Sequence, residues 1–141
     1  MTTVWAADRR DRRTVTTARL DELRSVLDAA AVALQDARAA MPTRDDATEG
    51  GERFSIQVER MRVAVQSVSQ QQARIAVRLG PEHPVHRAAQ LCVRAVTDIY
   101  AYFKWNEGPA LAEKLNAYQD AQNRFLANAS GLVGANRSVD T

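Results

Sequence analysis

Leu20-Asp21-Glu22-Leu23-Arg24-Ser25-Val26-Leu27-Asp28-Ala29-Ala30-Ala31-Val32-Ala33-Leu34-Gln35-Asp36-Ala37-Arg38-Ala39-Ala40-Met41 is the stretch that decides the architecture. Leu20, Leu27, Leu34 and Met41 recur every seven residues, and Leu23, Ala30 and Ala37 follow the first three of them by three. That is the a/d seam of an amphipathic α-helix, widened on one flank by Val26, Ala33 and Ala40. Asp21 and Glu22 then fall in the first turn, where carboxylates suit the positive end of the helix dipole, and Thr17 is the predicted N-cap. Pro42 cannot continue the helix, which is therefore predicted over about 17–41. Residues 42–51 are polar and predict a loop.

Downstream the same period returns three times. Phe54, Val58, Met61, Val65, Val68, Gln72, Ile75 and Leu79 follow 4-3-4-3 spacing and predict a helix over 52–79. The alternation of Phe54, Ile56 and Val58 alone suggests a strand, but a strand of that length lies far outside the usual range. Gly80 and Pro81 supply stop chemistry, Pro84 suits a first helical position and His83 is placed to cap it. Val85, Ala89, Cys92, Val96, Ile99 and Phe103 mark one face of a helix over 84–105. Asn106, Gly108 and Pro109 form a second break. Leu111, Leu115, Tyr118, Gln122, Phe125, Ala129 and Leu132 mark the fourth helix, over 109–133. Residues 135–141 carry no pattern and are expected to be a disordered tail. Four amphipathic helices with short connections predict an all-α, antiparallel up-down-up-down four-helix bundle over 17–134, its first helix extended at the N-terminus.

Composition supports this and excludes several classes. The 141 residues include 25 Ala against 6 Gly and 4 Pro, with 45% hydrophobic residues and mean hydropathy −0.38. No run approaches the ~20 apolar residues of a membrane span. A single cysteine rules out a disulfide scaffold and a cysteine-based zinc site, and suits a reducing, cytoplasmic setting. Neither a P-loop, a Gly-x-Ser-x-Gly nor a His-Glu-x-x-His pattern occurs, so no cofactor and no metal are expected.

The charge has an address. Of 19 Lys+Arg and 17 Asp+Glu, residues 1–16 hold Arg9, Arg10, Arg12 and Arg13 against Asp8 and Asp11, which leaves the remainder balanced. This basic segment, with Trp5, lies off the helical seam. It reads as a solvated helical extension, as a docking arm for an acidic surface, or as a segment beside a membrane, where Trp followed by Arg marks the cytoplasmic interface. Four Arg diluted by two Asp disfavour nucleic acid, whose binding scales with the charges neutralised.

Arg78-Leu79-Gly80-Pro81-Glu82-His83-Pro84-Val85, following a basic helix of the Arg13…Leu20-Asp21-Glu22-Leu23 kind, resembles a loose group of uncharacterised actinobacterial helical proteins. The resemblance spans about residues 8–100 and implies a helical fold, commonly preceded in that group by a short membrane anchor. No stretch of this sequence is apolar enough to be that anchor. The Arg-x4-His spacing of Arg78 and His83 also resembles the motif of HEPN-family RNA-cleaving bundles. There it implies a His acting as general acid–base and an Arg stabilising phosphate charge. Leu79, in place of the polar residue that usually follows the Arg, and the Gly80-Pro81 break depart from that motif.

His83 and His86 are the only imidazoles, and both are read as turn or cap residues, because no Glu-x-x-His pair exists to make a di-iron site. Cys92 sits on a seam and reads as a buried small hydrophobe. Gln72 and Gln122 occupy seam positions, either at a widened bundle end or as a polar layer that fixes register. Tyr100, Tyr102, Phe103 and Trp105 crowd into six residues. Tyr102 and Trp105 point away from the face shared by Ile99, Tyr100 and Phe103, so they either cover the next turn or form a partner-binding patch. The function expected from these features is a non-enzymatic protein–protein interaction or homo-oligomerisation module. Its partner contacts are Trp5, Arg9, Arg10, Arg12, Arg13, Tyr102 and Trp105, and it works in the cytoplasm or at the inner membrane face. The alternative is HEPN-like RNA cleavage by Arg78 and His83.

Overall fold

The computed structural model describes the backbone of residues 2–41, 52–105 and 111–139, and the side chains of 18–41, 55–104 and 111–133. Four helices account for it: α1 (Thr2–Ala40), α2 (Glu52–Leu79), α3 (Pro84–Trp105) and α4 (Leu111–Val139). The described residues include no strand, so the helical period prevails over the local alternation at the start of α2. The predicted loops at 42–51 and 106–110 lie outside the described residues.

Two boundaries differ from the sequence reading. The helix runs through Thr17, which therefore caps nothing, and Asp21 and Glu22 lie well inside α1 rather than in its first turn. At the other end α4 continues past Gly134 to Val139. One glycine in a helix costs about 1 kcal/mol and need not end it.

The connection from α2 to α3 shows how sequence dictates a turn. Gly80 adopts φ 90°, a left-handed conformation that costs glycine nothing, and its N–H bonds the Ala76 carbonyl at 2.9 Å to close α2. His83 caps α3 twice over. Its carbonyl accepts the Arg87 N–H at 3.0 Å, and its Nδ1 accepts the Val85 N–H at 3.1 Å, satisfying one of the orphan donors of the first turn.

Successive helices pack against one another, and α1 and α4 approach less closely. The core is drawn from every seam: Leu27, Leu34 and Met41 of α1, Met61, Val68 and Ile75 of α2, Val85, Cys92, Val96 and Ile99 of α3, and Tyr118 and Phe125 of α4. Long side chains fill the wider α1–α4 spacing. Tyr118 is fully buried, and its hydroxyl donates to the Leu34 carbonyl at 2.6 Å across that gap. Alanines at 30, 37, 64, 88, 89 and 95 are buried where backbones come together. An interior void of ≈ 10 Å³ between Leu34, Ile75, Cys92 and Phe125 is too small to hold a ligand.

Candidate functional site

Polar groups inside the bundle are the first place to look for chemistry. His86 is 3% exposed on α3. Its Nδ1 stands 2.8 Å from the Pro81 carbonyl, which can only accept, so Nδ1 carries the proton. Nε2 is then the acceptor, 3.3 Å from the amide nitrogen of Gln72 on α2. The imidazole thus ties the α2–α3 turn to the body of α2 and is spent in doing so. The sequence reading placed His86 with the turn, which its bond to Pro81 bears out; its burial and its contact with Gln72 of α2 are additions from the structure.

Gln122 is the second buried polar residue, 4% exposed. Its amide donates to Gln35 Oε1 of α1 at 3.2 Å, and Gln119 donates to its oxygen at 3.4 Å. Gln72 and Gln122 therefore sit in hydrogen-bonded layers between helices. No buried side-chain nitrogen or oxygen among the described residues lacks a partner. This interior holds no unsatisfied group aimed at a substrate.

Cys92 is fully enclosed between α-helical neighbours. Burial pushes its thiol up to about 12, so it stays protonated at neutral pH and is no nucleophile. Burial likewise raises Tyr118 above the ordinary phenol range. Both folded values lie above those of the unfolded chain, so their stabilising effect is whole below about pH 8.5 and drains away as pH rises through the folded values. The chain is expected to resist a thiol reagent at pH 8 until it is unfolded, and its melting temperature to fall above about pH 9. Cys92→Ala should flatten that alkaline slope; an unchanged slope would assign it elsewhere.

The residues of the Arg-x4-His motif are turned apart. The Arg78 guanidinium pairs with the carboxylate of Glu22 on α1, while the His83 ring caps α3. Gly80 and Pro81 reverse the chain between them, so the two side chains serve different elements. Among the described residues no group of three or more His, Cys, Asp or Glu could hold a metal ion. No described helix is long and apolar enough to cross a membrane.

Of the predicted contact residues, Tyr102 is half-buried and packs edge-to-face on Phe103, with ring centroids 5.6 Å apart and planes at 84°. It leans on the core while keeping part of its ring in solvent. The side chains of Trp5, Arg9, Arg10, Arg12, Arg13 and Trp105 lie outside the described residues.

Exposed apolar side chains stand out against this closed interior. Val32 on α1, Ile56, Val63 and Val77 on α2, Leu91 on α3 and Leu126 on α4 are all solvent-facing, Val77 by 84%. Val63 also borders a shallow groove of ≈ 330 Å³ between α1 and α2, floored by Ala33, Ala37 and Ala64 and flanked by Asp36 and Arg60. Sequence reasoning missed this outer face, although its signal is present: Ile56, Val63 and Val77 share a seven-residue register on the side of α2 opposite its seam. No protein family, curated protein or solved structure matches the chain.

Proposed function

We propose that this chain is a non-enzymatic helical interaction module that assembles with a second copy of itself or with a protein partner. It acts in the cytoplasm, with its basic first sixteen residues directed to the inner face of the membrane. One observation carries the reading. Among the described residues the buried polar groups are satisfied, yet six large apolar side chains are left on the outside, three of them on α2. Single exposed hydrophobes are ordinary, but several on one helix face mark a surface that another chain covers.

The antiparallel run of α1 and α2, the first step of an up-down-up-down order, is supported by pairs at both ends of α2. The Gln57 amide, near the start of α2, donates to the Ala40 carbonyl at the end of α1. Arg78, at the end of α2, meets Glu22, far from it on α1. The residues of α1 before its seam form the N-terminal extension, and Trp5, Arg9, Arg10, Arg12 and Arg13 within it are the contacts proposed for an acidic surface.

Tyr102 and Trp105 supply contacts at the C-terminal end of α3. Alanine at both positions is expected to weaken assembly, read as solution mass, while circular dichroism keeps its helical amplitude. Loss of helicity together with assembly would instead assign both rings to closing the bundle end.

A further inference from the structure

The outer face of α2 carries a second heptad stripe. Ile56, Val63, Gln70 and Val77 follow one another at seven-residue intervals, and all four are exposed, the three apolar ones by 48%, 51% and 84%. They lie opposite Met61, Val68 and Ile75, which are buried in the bundle. At 1.5 Å per residue the stripe runs about 32 Å. A helix with one apolar face in its own core and another in water has one face unpartnered.

We propose that a second copy of this chain covers that stripe, with the two α2 helices antiparallel about a two-fold axis at Gln66–Ser67. The inference rests on the self-assembly reading above and adds the surface, the orientation and the register. A two-fold interface is self-complementary: if one residue faces a second, the second faces the first. With the axis between Gln66 and Ser67, Ile56 and Val77 are equidistant from it and oppose each other twice. Val63 opposes Gln70, so the one polar member of the stripe penalises slippage, as polar seam residues do in coiled coils.

Charge decides the orientation. Glu59 and Arg74 are exposed and equidistant from the same axis, so the antiparallel arrangement sets each against its opposite on the other copy. A parallel arrangement about a two-fold would set Glu59 beside Glu59 and Arg74 beside Arg74, which is repulsive. Glu59 is already held by Arg62 on its own helix, with contacts of 2.5 to 3.1 Å. A carboxylate accepts about four hydrogen bonds, so a second guanidinium fits. Arg74 makes a 3.3 Å bond to Gln71 that an ion pair readily replaces. Arg60 is exposed beside the stripe and lines the groove against α1 together with Glu59 and Val63; its counterpart across the axis is Ala73, so it meets no like charge.

The test is the solution mass of the full chain by light scattering across a dilution series. Wild type is expected to be dimeric, and Val63→Asp with Val77→Asp to weaken dimerisation by at least about tenfold with helicity unchanged. Because both valines are exposed, the fold does not depend on them; Val77→Ser alone, a milder change, should give an intermediate result. Glu59→Arg should weaken the dimer and Glu59→Arg with Arg74→Glu should restore it. A double-aspartate variant that dimerises like wild type overturns the surface while leaving self-assembly through another face standing. A charge swap that fails to restore what Glu59→Arg weakened overturns the register. A wild-type mass of one chain at every concentration overturns both this inference and the self-assembly reading beneath it.

Discussion

Replacing Phe125 by alanine is expected to cost about 3–5 kcal/mol of folding stability, read by urea denaturation, and to lower the melting temperature by roughly 10–20 °C. Phe125 is fully buried on α4. It borders the same small interior space as Leu34 of α1, Ile75 of α2 and Cys92 of α3, so its ring is shared by all four helices. Relaxation into the gap is limited, because Ala30 and Ala89, which line the same space, are too short to move into it. The lost transfer energy and the cavity therefore add. Phe125→Leu keeps most of the volume and should cost less than about 1.5 kcal/mol. An alanine variant within about 1 kcal/mol of wild type would mean that the seam of α4 does not lie at the centre of the bundle.

His86→Ala is expected to be the second most damaging change, at about 2–4 kcal/mol. It deletes a buried ring and leaves the Pro81 carbonyl without the donor that Nδ1 supplies. His86→Asn separates the two contributions, since its amide N–H reaches the position of Nδ1 while giving up the contact with Gln72. Asparagine should recover about half of the loss. If asparagine and alanine are equally destabilising, the bond to Pro81 contributes nothing and the ring matters by volume alone.

The helices were legible because a single period says which face of a helix is apolar. Val26, Leu27, Ala30, Leu34, Ala37 and Met41 are buried as their spacing requires, and so is every seam residue of α3 from Val85 to Phe103. The turn at 80–83 was legible for a different reason: glycine, proline and a capping side chain act within four residues, where sequence distance and spatial distance coincide. Contacts that join distant residues left no such trace. Glu22 pairs with Arg78 across 56 positions, and Tyr118 reaches Leu34 across 84; neither follows from spacing. Thr17 was misread because a good capping residue is also tolerated inside a helix, and nothing local distinguishes the two. His86 was legible as a turn residue, as its bond to Pro81 shows, but not its contact with Gln72, which belongs to the preceding helix.

The candidate surface was legible only in part. Ile56 was noticed, but as one member of an apparent strand alternation, because the window that reveals a second stripe must skip the stronger seam beside it. Once α2 is a helix with Met61, Val68 and Ile75 inside, the remaining apolar residues fall into line on the outside. Gln122, buried on its seam, shows the complementary point. A polar residue on a seam is compatible with a frayed end or with a bonded layer, and the choice depends on Gln35, a neighbour from another helix.

The central claim is that this chain assembles with a second copy of itself. Light scattering on the full chain at neutral pH, from high concentration downward, tests it most directly. The expected result is a mass near twice the 15.6 kDa of one chain, falling toward a single chain on dilution. A mass of one chain throughout would contradict it, and would leave the apolar outer face of α2 to a different partner.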